Sequence, residues 1–463
     1  MEISQRGYSF NKDHNQIAEI KKDLTIRPFI KGSPIQLNTT YPVYRESSKK
    51  IYVPRIYGIS KFGEPDTYKF KNIEQINISF NGNLRECQVN ATDAYLENVC
   101  EETGGCGLIE KGCGKGKTVD GLFIIHKLKV KTLIIVHKEF LLNQWIDRIN
   151  QYLPTAKIGK IQGQNIDIDG KDIVIGMLQS ISMKDYPPQT FSSFGLTIVD
   201  EVHHISSEVF SKALFKISTK YMLGLSATME RKDGTTNVIK MFLGEIVYSN
   251  LDQGEHFVTV KGIRYIVDDP EFLDVIYDSR GNVQYSTMIT KLCNYNRRSE
   301  FIIDLIIEIG KEYGHSQQML VLSHNKSILN YMVESLKHRG VSDVGFYIGG
   351  MKRNALDESS TKRIILATYA MAAEALDIPT LTTLIMTTPK TDIQQSIGRI
   401  LREKHENPLI IDIIDKHDIF QRQWYKRKKI YKDCKYKILE STSDNSTINK
   451  KNNGNTNKCL IKL

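Results

Sequence analysis

The chain has 463 residues, enough for two or three domains with sizeable cores, and its 63 Lys and Arg against 53 Asp and Glu give a formal net charge of +10. That excess favours a polyanionic partner, while the lack of any apolar run near the roughly 20 residues of a membrane span argues against a bilayer. Seven scattered cysteines with no Cys-x-x-Cys pair and an N-terminus without a signal-like apolar core point to reduced thiols, no zinc site and a cytoplasmic or nuclear setting.

Residues 1–80 mix short β-like pieces with Pro and Gly, as in Lys50-Ile51-Tyr52-Val53-Pro54-Arg55, and read as a small accessory domain without recognisable chemistry. From 81 to 250 the rhythm changes. Short apolar runs (132–136, 172–176, 196–199, 222–225) alternate with longer segments of helical spacing. Continuous apolar strands suit a parallel sheet buried on both faces, and the alternation gives βαβ units. Residues 251–285 read as a connector with an insertion. A second series with the same rhythm (318–322, 363–367, 383–386, 408–412) fills 286–440. The tail, 441–463, is rich in Ser, Thr, Asn and Lys and is expected to be disordered. The fold class is therefore α/β, with two tandem lobes of parallel sheet and flanking helices behind a small N-terminal domain.

Leu84-Arg85-Glu86-Cys87-Gln88 comes first among the chemical motifs; a glutamine amide offers the donor and acceptor that an adenine edge needs. Gly112-Cys113-Gly114-Lys115-Gly116-Lys117-Thr118 then separates an apolar run ending near Ile109 from a predicted helix, Val119 to Leu128. Glycines let backbone N–H groups wrap a phosphate, a lysine adds charge at the β- and γ-phosphates, and a threonine hydroxyl can ligate Mg²⁺. Lys111 stands where the usual pattern has its first glycine. It and Lys115 either strengthen nucleotide binding or decorate the surface.

Asp200-Glu201-Val202-His203-His204 follows the apolar run 196–199, at the strand edge where ligands collect in parallel sheets. One carboxylate can hold Mg²⁺ and the next can accept a proton from an attacking water. Ser226-Ala227-Thr228 could bond that acidic pair. Gln395-Ser396-Ile397-Gly398-Arg399-Ile400-Leu401-Arg402 places two arginines three residues apart, on one face if helical. They are either solvent arginines or an anion clamp. Trp424-Tyr425-Lys426-Arg427-Lys428-Lys429 is either a solvated helix face or a nucleic-acid contact.

Taken in order, these motifs resemble those of superfamily 2 helicases of the DExH type, whose two RecA-like lobes close on ATP. The resemblance runs from about residue 84 to 435. It is nearest to the XPB-like branch and to the transcription helicases of large cytoplasmic DNA viruses, on Leu223-Gly224-Leu225-Ser226-Ala227-Thr228-Met229-Glu230-Arg231-Lys232-Asp233-Gly234. It implies ATP and Mg²⁺ as cofactors. Gln88 would recognise adenine; Gly114, Lys115, Gly116 and Lys117 would hold the phosphates; Thr118 and Asp200 would hold Mg²⁺. Glu201 would be the catalytic base, His203 the coupling residue, Gln395 the water-positioning residue, and Arg399 and Arg402 the arginine fingers. Asp377, in Glu374-Ala375-Leu376-Asp377-Ile378-Pro379, would lie at the ATP edge of the second lobe.

Nucleic acid would meet Lys138, Gln179, Ser180, His324, Gly350 and Thr368, short polar or glycine positions at strand ends that suit backbone phosphates, on the face of the lobes opposite ATP. Two positions depart from the family pattern: Ala375 replaces a frequent glycine, and Lys232 stands where the XPB branch has an acidic residue. The implied activity is an ATP-dependent helicase or translocase with DNA as preferred polymer. The biological guess is viral-type transcription alongside the transcription machinery, in the host cytoplasm or virion if the source is viral. An RNA helicase is the alternative. A non-hydrolysing architectural subunit is disfavoured because Lys117, Glu201 and Arg402 are all present.

Overall fold

The computed structural model describes residues 1–28, 40–70, 72–112, 114–187, 189–204, 207–229, 234–251, 257–314, 317–374, 376, 378–403, 405 and 407–445. The chain divides into two compact units, Met1–Asp252 and Gln253–Leu463. The expected Lys232, Ala375 and Asp377 and the tail beyond 445 lie outside the described residues.

The first unit is organised by an eight-stranded sheet. Its spatial order is Asn165–Asp167, Ile158–Gln162, Ile173–Met177, Thr132–Val136, Leu196–Asp200, Tyr221–Ser226, Gly105–Lys111 and Ile246–Asn250. Every pairing is parallel except that of Asn165–Asp167. The central strands Thr132–Val136, Leu196–Asp200 and Tyr221–Ser226 are buried along their whole length, which is why they read as unbroken apolar runs rather than alternating ones.

The N-terminal segment forms a five-stranded sheet, ordered Arg45–Glu46, Lys50–Val53, Gly7–Asn11, Glu2–Ser4 and Thr67–Tyr68. It does not keep a core of its own. Ile3, Tyr8, Ile51 and Val53 belong to one hydrophobic cluster with Phe210 and Phe242 of the larger sheet's helices and with Phe215 in the turn after one of them. The buried Arg55 adds a polar fastening, donating to the carbonyls of Thr103 at 2.6 Å and Lys220 at 2.8 Å.

The second unit carries a seven-stranded, wholly parallel sheet ordered Val344–Tyr347, Ile364–Thr368, Gln318–Ser323, Leu381–Met386, Leu409–Ile414, Thr259–Arg264 and Lys437–Thr442. Two expectations change here. Thr259–Arg264, read as part of a connector, is an interior strand of this sheet. Lys437–Thr442 is its edge strand and Ser443 is buried, so residues 441–445 are ordered parts of the fold rather than tail. The eight- and seven-stranded sheets with their helices thus match the two RecA-like lobes expected.

The basic cluster at 424–429 lies on the helix Asp418–Asp433 and divides by face. Trp424 and Arg427 point inward, whereas Tyr425, Lys426 and Lys429 are exposed. Arg427 makes a bidentate pair with Asp412 (2.7 and 2.8 Å), whose carboxylate also accepts from the Tyr431 hydroxyl at 2.9 Å. Both charges are 1% exposed, so removing one strands the other in a dry interior. Asp412→Ala is therefore expected to destabilise the second unit by about 3–5 kcal/mol, read from urea unfolding, while exposed Lys429→Ala changes it by less than about 0.5 kcal/mol.

Candidate functional site

Parallel strands release their loops at one edge, and the chemical residues of the first unit gather there. The strand Gly105–Lys111 leads through the glycine loop into the helix Lys117–Leu128. Gly114 and Gly116 take φ of +75° and +77°, a left-handed region that a side chain would resist. A Cβ on Gly116 would come within 2.6 Å of both Arg85 Nη2 and Gln88 Nε2. Lys117 turns back across the loop and donates to the Lys111 carbonyl at 3.2 Å, with Thr118 beside it in the first helical turn.

The acidic pair ends the strand Leu196–Asp200. Asp200 is buried and accepts from the Trp145 indole N–H at 2.8 Å and from the Glu201 backbone N–H at 2.9 Å. Burial, followed by the neighbouring Glu201 charge, pushes its pKa from 3.8 up to about 7. Glu201 has φ +48°, an uncommon left-handed position for a residue with a side chain. Its Oε1 lies 3.9 Å from Lys117 Nζ and its Oε2 lies 3.4 Å from His203 Nδ1. His203 Nδ1 is 2.6 Å from the Ser226 hydroxyl, which donates to the Thr228 carbonyl at 2.5 Å. The Ser226 hydroxyl thus bonds the histidine, which in turn lies beside Glu201.

Gln88 is 3% exposed and committed to the loop. Its Oε1 accepts from Arg85 N and Nε (3.0 and 3.2 Å) and its Nε2 donates to Gly116 O at 3.2 Å. Lys115 is half-buried. Lys111 is neither surface decoration nor a direct part of the rim: it is fully buried and paired with Asp120. Trp145 and Asp120 are the supporting residues that motif reading missed. Trp145 lies on the helix Glu139–Tyr152, and nothing local to it signals a carboxylate partner.

The candidates for polymer contact in this unit share the same edge, displaced along it. Lys138 caps the helix after Thr132–Val136; Gln179 donates to the His137 carbonyl at 2.9 Å; Ser180 accepts from Gly163 N at 2.9 Å. They follow two neighbouring strands on the far side of Asp200 from the glycine loop.

In the second unit, His324, Gly350 and Thr368 follow or end three adjacent strands. His324 Nδ1 lies 2.8 Å from Thr388 Oγ1; burial and then the Lys390 charge lower its pKa to about 4, so it is a neutral hydrogen-bonding group near pH 7. Gly350 has φ +95° with open space about its Cα. Thr368 is buried at its strand end. Gln395 lies in a helix of only four residues, Gln394–Ile397, so Arg399 and Arg402 follow that helix instead of sharing a face of it. They converge nonetheless, donating to the Leu376 carbonyl at 2.7 and 2.9 Å.

These residues fit a magnesium nucleotide. Left-handed glycines leave room for phosphate oxygens at a helix N-terminus, and Lys117, Thr118 and Asp200 supply an ammonium, a hydroxyl and a carboxylate. Among the described residues no group of three or more His, Cys, Asp or Glu forms a metal cage. Mg²⁺ at phosphate sites is commonly held by one or two carboxylates, phosphates and water.

Two parallel sheets, one carrying a glycine loop beside a buried acidic strand end, place the chain among P-loop proteins with paired RecA-like lobes. A family profile described as "Type III restriction enzyme, res subunit" matches residues 81–231. A relative from Acanthamoeba polyphaga mimivirus, provisionally named ATP-dependent RNA helicase L396, is 38% identical over 451 residues, covering 94% of this chain and 86% of the relative. The similarly named QP509L of African swine fever virus (isolate Pig/Kenya/KEN-50/1950) is 26% identical over 355 residues, 71% of this chain and 69% of the relative. Among solved structures, S. cerevisiae Dbp5 bound to RNA and ADP BeF3 aligns with a TM-score of 0.54 at 12% identity, over 79% of this chain and 92% of that one. The chain belongs to the superfamily 2 helicases, enzymes that are nucleic-acid-stimulated ATPases, and is similar to those of large DNA viruses. No helix among the described residues is long and apolar enough to cross a membrane.

The raised pKa of Asp200 means that the folded chain holds this proton more tightly than the unfolded chain does. Its contribution to stability therefore declines as pH climbs from about 4 to about 7. In buffer free of divalent cations, Asp200→Asn is expected to gain stability relative to the unsubstituted protein between about pH 5 and about pH 8, measured as urea midpoints. An unchanged difference across that range would show that Asp200 ionises normally.

Proposed function

We propose that this enzyme is an ATP-driven translocase that steps along a nucleic-acid backbone, with DNA as its preferred polymer. The observation that carries the reading is the meeting, at one strand edge, of the Lys117 ammonium, the Glu201 carboxylate 3.9 Å away and the buried Asp200 beside it. Bound MgATP supplies the phosphoanhydride whose hydrolysis drives the cycle. Lys117 neutralises the outer phosphates at the loop formed with Gly114, Lys115 and Gly116. Thr118 and Asp200 hold Mg²⁺, and Glu201 accepts the proton of the attacking water.

In the roles that the resemblance implies, Gln395 would orient that water, Arg399 and Arg402 would offset developing charge, and Asp377 would serve the ATP edge of the second lobe. Adenine recognition by Gln88 requires its pairing with Arg85 to open. The link from Glu201 through His203 to Ser226 is the route by which the state of the acidic pair reaches the following loop. Lys138, Gln179, Ser180, His324, Gly350 and Thr368 contact the polymer backbone, so affinity is insensitive to sequence and falls steeply with salt.

DNA, and with it a role in viral transcription at elongation or transcript release, rests on the resemblance of the segment 223–234 to transcription and repair helicases. RNA is the second reading, favoured by the names of the mimivirus and African swine fever virus relatives. Steady-state ATPase rates with single-stranded DNA, duplex DNA, RNA and no polymer separate these readings. DNA is expected to stimulate most, and Lys117→Ala to lose about 10²-fold or more. Stimulation by RNA alone would move the enzyme to RNA. Binding without hydrolysis on any polymer would overturn the motor.

A further inference from the structure

Lys111 and Asp120 are each 0% exposed, and Lys111 Nζ lies 2.7 Å from Asp120 Oδ2. Lys111 ends the strand before the glycine loop, and Asp120 sits in the first turn of the helix after it. The same ammonium donates to the Cys87 carbonyl at 3.3 Å, at the start of the helix Glu86–Glu97 that also carries Gln88. The Lys111 carbonyl, in turn, receives Lys117 Nζ at 3.2 Å. One residue therefore fastens both ends of the glycine loop to each other and to the element beside them.

A buried ion pair is a poor device for stability alone, because desolvation can exceed the attraction and an apolar pair often serves as well. Both side chains of this pair are fully buried, so it does carry that cost. Its directional bonds offer what apolar packing does not: a fixed separation between the two ends of a loop whose glycines have no stiffness of their own.

We propose that the Lys111–Asp120 pair positions the phosphate loop, holding it at the span that accepts the phosphates of a nucleoside di- or triphosphate, in place of the glycine that usually stands at position 111. Both are positioning residues, acting through the loop without touching the nucleotide. The proposal rests on the reading of that loop as the ATP site.

The test uses the full chain and compares Lys111→Met/Asp120→Leu, which replaces the pair by apolar packing, with Lys111→Arg, which keeps the charge but alters its reach. Thermal melting, Kd for MgADP, and KM and kcat for ATP are measured well below the melting temperature. Both variants are expected to melt near the unsubstituted protein yet bind MgADP about tenfold more weakly, with KM rising more than kcat falls. Unchanged nucleotide affinity in either folded variant overturns the proposal and leaves the pair a packing feature. Failure of the unsubstituted protein to bind MgADP more tightly than Lys117→Ala does would overturn the ATP-site reading, and the brace with it.

Discussion

A parallel sheet sends its strand ends to one edge, and every charge gathered there must be satisfied by groups from outside the ladder. In the first unit this constraint governs three carboxylates in three ways. Asp200 takes an indole N–H and a backbone N–H. Asp120 takes an ammonium from the preceding strand end. Glu110, one residue earlier on that strand, accepts from Met229 N at 2.7 Å and Ser249 Oγ at 2.8 Å. Each solution ties a loop to a different element, so the candidate site and the packing beneath it are parts of one polar framework. Glu201 is the acidic group at this edge that keeps a quarter of its side chain exposed, as the proton-accepting role proposed for it requires.

The second unit solves the same problem with guanidiniums. Arg298 pairs bidentately with Asp415 at 2.6 and 2.7 Å, and Arg427 does so with Asp412, all four side chains essentially dry. A planar fork satisfies both carboxylate oxygens at once, which is what a buried strand end requires. Arg399 and Arg402 differ in taking a carbonyl, that of Leu376, as a shared acceptor.

Strand identity was legible because burial on both faces removes the ambiguity of alternation: 132–136, 196–200 and 318–323 are nearly continuous apolar runs. Legibility failed at sheet margins. Thr259–Arg264 alternates, since Lys261 and Arg264 reach outward to Glu312 and Glu440, and so it resembled a linker. Lys437–Thr442 is mostly exposed, and an edge strand of that composition cannot be told from a polar tail. In the site, residues adjacent in sequence were readable through loop chemistry, as with Gly114 to Thr118 and Asp200 to His203. Partners distant in sequence were not: Trp145 meets Asp200 across 55 positions. The Lys111–Asp120 pair spans only nine, yet sequence alone does not reveal that both ends are buried.

The same chemistry bears on polymer choice. Lys138, Gln179, Ser180 and Thr368 offer an ammonium, an amide and hydroxyls, and Gly350 offers backbone with open space beside it. Such groups bond phosphate oxygens, which DNA and RNA present alike. Telling the polymers apart requires either a partner for the 2′-hydroxyl or a surface matched to one duplex geometry. His324, held near Thr388 and kept neutral by burial and Lys390, is a hydrogen-bonding group rather than a phosphate counter-charge, and like the Gln179 amide and the Ser180 and Thr368 hydroxyls it has chemistry suited to a hydroxyl as well as to a phosphate.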